Sequence, residues 1–93
     1  MLHRPDLLLL PPLGATEAPV AVEVELTVKS PRRLEEICRA WARCRGVAGV
    51  MYVAAPGVER ALQRAVVRAH ASSKVAVVPF DAIVQRGSVR AGG

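Results

Sequence analysis

The 93-residue chain is long enough for one domain with a modest core, and its 52% hydrophobic and 23% charged residues exclude a disordered chain. Net charge is +5 and eleven of the thirteen basic residues are arginine, which makes polyanions plausible partners and equally fits a compositional habit of writing Arg for Lys. The aromatic residues are Trp41, Tyr52 and Phe80, too few for a surface of base-stacking platforms, and no run approaches the roughly 20 apolar residues of a membrane span.

The first segment, MLHRPDLLLLPPLGA, has the outline of a signal peptide, but Asp6 and the Pro11-Pro12 pair interrupt the apolar region that secretion requires. Leu7 to Leu10, bounded by prolines, is expected to be a short buried strand, and PPLGATEAP a loop. Next comes VAVEVELTVKS, Val20 to Ser30, which alternates with period two over a full strand length. Val20, Val22, Val24, Leu26 and Val28 share one face, and Glu23, Glu25, Thr27 and Lys29 the other. The first two strands are expected to pair as an antiparallel hairpin.

Ser30-Pro31 is a helix start, with Ser as N-cap and Pro in the first turn. Leu34, Ile37, Cys38, Trp41 and Ala42 make the inward stripe, and Gly46 is expected to end the helix. Cys38 and Cys44, six residues apart in that helix, stand about 240° apart around its axis and cannot pair. With no CxxC they read as reduced thiols of a cytoplasmic protein. Val47 to Ala54 is the next strand. Pro56-Gly57 opens a second helix with Val58, Leu62, Ala65, Val66 and Ala69 inward, Lys74 to Pro79 is a last buried strand, and residues 86–93, RGSVRAGG, form a flexible tail.

The element order is therefore β-β-α-β-α-β. It implies a single α/β domain over residues 1–85, with a four-stranded mixed sheet, an N-terminal antiparallel hairpin and two right-handed crossover helices.

Chemistry concentrates at Asp6, Glu23 and Glu25. Glutamates at i and i+2 of a strand lie about 7 Å apart and repel unless a cation, an arginine or water relieves them. Hairpin pairing brings Asp6 toward both, and such a set suits Mg²⁺, which takes one or two carboxylates and keeps waters for a phosphate substrate. The plain alternative is a solvated polar face on a half-buried strand.

Arg4-Pro5-Asp6, an apolar strand, a loop and the Glu23-Val24-Glu25 strand resemble the PD-(D/E)XK nuclease-like core of restriction-endonuclease-type folds. VEVELTVKSPRRLEEICRAWARC, VMYVAAPGVERALQRAV and KVAVVPFDAI are further similar to the C-terminal domain of replication-relaxation proteins of actinobacterial plasmids and integrative elements. The resemblance spans nearly the whole chain. It implies that Asp6 and Glu23 are metal ligands, and that the chain is a truncated core without the helix and strand usually found ahead of the PD motif.

Glu25 stands where the family has a lysine, and some nucleases of this fold carry a glutamate there, as general base or extra ligand. The family's lysine orients the attacking water and stabilises charge on the phosphate. Lys29 shares the polar face but lies about 20 Å from Glu23 along an extended strand, too far to replace it. Arg4, Arg32 and Arg33 are the candidates to supply the cation.

Arg60, Arg64 and Arg68 recur every fourth residue and form a basic stripe on the second helix, either a solvated face or a track for a phosphate backbone. Arg32 and Arg33 stand in a helix's first turn, where the dipole disfavours cations and an anionic partner would relieve them. The function that follows is a DNA-interacting, nuclease-like domain of a plasmid or mobile-element replication protein, with Mg²⁺-dependent phosphodiester hydrolysis at Asp6, Glu23 and Glu25. Arg4, Lys29, Arg32, Arg33, Arg60, Arg64 and Arg68 are the DNA contacts. The alternative is an inactive interaction module of the same fold, in which a homodimer covers a sheet face or edge.

Overall fold

A computed structural model describes residues 5–82. Its elements follow the expected order: β1 (Leu7–Leu9), β2 (Val20–Glu25), α1 (Pro31–Ala42), β3 (Gly49–Ala54), α2 (Pro56–Arg68) and β4 (Val75–Pro79). The sheet runs β1-β2-β3-β4, with β1 antiparallel to β2 and the remaining pairs parallel. Both crossovers step the same way across the sheet. Right-handed connections therefore place α1 and α2 on one face.

Local chemistry sets both helices. The Ser30 hydroxyl accepts the Arg33 amide hydrogen at 3.2 Å, and Pro31 occupies the first turn without leaving a donor unmet. Ser30→Ala is expected to cost about 1 kcal/mol in chemical denaturation, since it leaves that amide without its acceptor. Leu34, Cys38 and Trp41 are buried, with Ile37 and Ala42 partly so. On α2 the whole expected stripe, Val58, Leu62, Ala65, Val66 and Ala69, is buried. Helix α1 stops at Ala42, short of Gly46; the Arg43 amide closes the last turn on the Arg39 carbonyl, which leaves Cys44 outside the helix. His70 follows α2 with a positive φ of 53°, its amide bonded back to the Val67 carbonyl, and is exposed.

The strands depart from expectation in three places. Strand β1 is three residues long and exposed, because it is an edge strand; α1 comes near it at Leu8, which lines a shallow pocket together with Trp41. Strand β4 is the opposite edge, and only Val75 in it is buried. Strand β2 ends at Glu25, whose carbonyl takes the Ala55 amide as its last bond; β3 stops at Ala54 because Pro56 opens α2, and Leu26 to Ser30 lie outside the paired strand.

The face of β2 that meets the helices is the glutamate face. Ala21, Val50, Tyr52, Ala54 and Val75 join the helix stripes in the core, and Glu23 points the same way, 5% exposed. Fully buried Ala21 and Ala54 leave room for Leu34 and Trp41 to descend from α1. The valine face, Val20, Val22 and Val24, points away from α1 and α2. The solvated-face alternative for Glu23 is thereby corrected: one-sided crossovers turned its side of the strand inward.

Candidate acidic cleft

The described part of the expected constellation begins where β1 meets β2. The Leu7 to Val22 pairing continues into Asp6 opposite Glu23. Asp6 donates its amide hydrogen to Glu23 Oε2 at 2.9 Å, and its own carboxylate accepts the Val24 amide hydrogen at 2.8 Å. Each acid thus closes the end of the hairpin through the other strand's backbone. Glu23 is the one buried charged residue among those described.

Glu23 and Glu25 both line a cleft of about 240 Å³ between the carboxyl-terminal part of β2 and one flank of α1. Its remaining walls are Lys29, Arg33, Glu36, Ile37, Ala40 and Tyr52. Lys29 is not a distant residue. Because β2 ends early, the chain folds back and brings Lys29 Nζ to 2.6 Å from Glu25 Oε1, correcting the separation expected of an extended strand. The Thr27 hydroxyl also approaches Glu25, at 3.4 Å. The i, i+2 repulsion is relieved by this ammonium.

Arg33 reaches the cleft and pairs with Glu36 of its own helix at 3.6 Å, an exposed contact of small energetic weight. Arg32 is exposed and does not line the cleft. Arg4 lies outside the described residues. Among the described residues, no group of three or more His, Cys, Asp or Glu is arranged to hold a metal ion. Asp6 and Glu23 stand together, whereas Glu25 is engaged by Lys29. Asp6 is exposed and is not among the residues that line the cleft; each of the two carboxylates accepts a backbone amide hydrogen of the other strand.

Tyr52, opposite Glu23 in the parallel β2–β3 register, is a cleft residue the sequence reading missed. Its hydroxyl accepts the Trp41 indole N–H at 3.1 Å, a buried bond that joins the cleft to the core. Burial foremost, with the Glu23 and Glu25 charges adding, pushes its ionisation far above the ordinary range although the indole bond acts the other way. Burial, aided by Glu35, likewise pushes the Cys38 thiol from 9.0 up to about 11. Both groups are held neutral, so folding stability is fully present below pH 9 and falls as pH rises through 11, where the unfolded chain releases protons the native state retains. Urea midpoints measured from pH 8 to 11 are expected to decline, with a shallower decline in Cys38→Ala.

The stripe of Arg60, Arg64 and Arg68 is exposed on α2 and, with Gln63 and Val67, lines a wide depression of about 490 Å³. Arg68 lies 4.0 Å from Glu35, which also receives Arg39 at 3.1 Å. The groove between the helices uses Pro31 and Glu35 of α1, while the acidic cleft uses Arg33, Glu36, Ile37 and Ala40. The two therefore occupy opposite flanks of α1. No described helix is long and apolar enough to cross a membrane. No protein-family model, curated protein or solved structure matches the chain.

Proposed function

We propose that this chain is a DNA-interacting domain of nuclease-like design, from a plasmid or mobile-element replication protein, and that its acidic cleft acts on phosphodiesters. The observation that carries the reading is the placement of Glu23, buried, joined to Asp6 across the hairpin and sharing a cleft with Glu25 and Lys29.

Asp6 and Glu23 would hold Mg²⁺, which when bound supplies Lewis-acid polarisation of a phosphoryl oxygen and acidifies a bound water. The chain's own groups do the rest. Lys29 brings a positive charge into the cleft beside Glu25, the glutamate in the lysine position, where it offsets negative charge developing on phosphate. Glu25, accepting from that ammonium, is placed to take a proton from water. Arg33 at the rim adds a planar donor for a phosphate oxygen, and the Arg60, Arg64 and Arg68 stripe adds salt-dependent affinity for the backbone.

The test is nicking of supercoiled plasmid by the wild-type chain and by Glu23→Gln in Mg²⁺ or Mn²⁺. Nicking by the wild type alone supports the reading; equal nicking by both, or by neither, removes the hydrolytic assignment.

A further inference from the structure

The arginine stripe of α2 and the acidic cleft are separate hollows, yet a string of cations joins them over the amino-terminal end of α1. The depression that holds Arg60, Arg64 and Arg68 shares Arg64 and Arg68 with the groove between the helices, and that groove reaches α1 at Pro31. On the other flank of α1 the cleft begins at Arg33, with Lys29 beside it. At about 100° per residue, Pro31 and Arg33 stand roughly 200° apart around the helix, and Arg32 falls between them. It lies opposite the buried Leu34 and Trp41, on the outer surface, and is exposed. The first turn of α1 contains no acidic residue to neutralise it. Arg32, Arg60 and Arg64 make no ion pair among the described residues, whereas Arg68 approaches Glu35 and Lys29 is paired with Glu25.

We infer that one strand of DNA follows this string, from the arginines of α2 over Arg32 to Arg33 and Lys29 at the mouth of the cleft, so that the domain takes single-stranded rather than duplex DNA. This rests on the reading of the chain as a DNA-interacting domain and adds the form of the DNA. Shape carries it. One interhelical spacing plus half a helix diameter makes the path about 15 Å long, and its second half turns from the outside of the helix layer down the flank of α1. A duplex, with a persistence length of about 150 base pairs, does not follow so tight a turn, and a single strand does. Charge agrees with it. Along α2 the arginines recur about 6 Å apart, so each can meet its own phosphate as a planar donor. The contact is with the backbone rather than the bases, because Trp41 and Tyr52 are buried and Phe80 lines none of the three hollows.

Fluorescence anisotropy of a labelled 20-nucleotide strand, and of the same sequence as a duplex, tests the path with the full 93-residue chain. EDTA keeps binding separate from hydrolysis. The single strand is expected to bind at least tenfold more tightly than the duplex, with oligo-dA and oligo-dT alike. Four phosphates on Arg32, Arg33, Arg60 and Arg64 give a log-log salt slope of about −2.8, hence about a fiftyfold loss of affinity from 50 to 200 mM NaCl. Arg32→Ala is expected to reduce that slope by about 0.7, and Arg60→Ala with Arg64→Ala by about 1.4. Arg45→Ala, an exposed arginine beyond the opposite end of α1, leaves it unchanged. Far-UV circular dichroism verifies that each variant is folded. Duplex binding as tight as single-strand binding overturns the inference and leaves DNA contact standing; no binding to either form removes both. A single-strand affinity indifferent to Arg32→Ala, or equally reduced by Arg45→Ala, also overturns the path.

Discussion

Glu23→Gln is expected to reduce plasmid nicking at least a hundredfold while leaving the domain folded. The glutamine carbonyl can still accept the Asp6 amide hydrogen that Glu23 Oε2 takes at 2.9 Å, so the junction of β1 and β2 survives. What disappears is the negative charge next to Asp6, and with it half of the donor pair for a divalent cation. Glutamine also keeps the buried volume, which alanine would empty beneath α1. Circular dichroism and a urea midpoint within about 1 kcal/mol of wild type would separate loss of chemistry from loss of fold. Retained nicking with an intact fold would remove Glu23 from the reaction.

The second large effect is on stability. Trp41→Ala is expected to cost about 3–5 kcal/mol, out of the roughly 5–15 kcal/mol that a domain of this size possesses. Trp41 is 2% exposed and among the largest fully buried side chains. Its removal leaves a cavity between α1 and the sheet and takes the indole donor from the Tyr52 hydroxyl. As Trp41 is the single tryptophan, unfolding in urea is best followed by far-UV circular dichroism rather than fluorescence. Val67→Ala, on the exposed side of α2, serves as the comparison and is expected to stay within about 0.5 kcal/mol of wild type. Equal losses for the two substitutions would show that the core is not where the structure places it.

The parts of the fold legible in the sequence are those that local interactions specify. Ser30-Pro31 announces α1 because a hydroxyl acceptor and a ring-fixed φ act within one turn. The stripes from Leu34 and from Val58 identify inward helix faces because periodicity of 3.6 has one apolar side. Element order then selects a mixed sheet with crossover helices. At the site, the closeness of Asp6 and Glu23 was legible because hairpin pairing joins them.

Other features depended on which neighbours a strand acquires. Alternation in β2 defines two faces and leaves open which of them a helix covers; the common hand of the two crossovers decided that, and it buried Glu23 and bared Val24. Leu7 to Leu10 read as a buried strand by composition, yet the edge position of Leu7 to Leu9 exposes them. Lys29 reached Glu25 from outside the paired strand, whose partner β3 stops where Pro56 opens α2, 27 residues further along the chain. Tyr52 entered the cleft through the β2–β3 register alone.

By itself, then, the sequence determined the elements, their order and the neighbouring acids of the hairpin, since caps, periodicity and short-range pairing act within a few residues. Tertiary structure decided which side of the sheet α1 and α2 cover and which residues the cleft gathers. Handed connections and strand register place distant residues together, and no pattern of spacing along one strand contains that information.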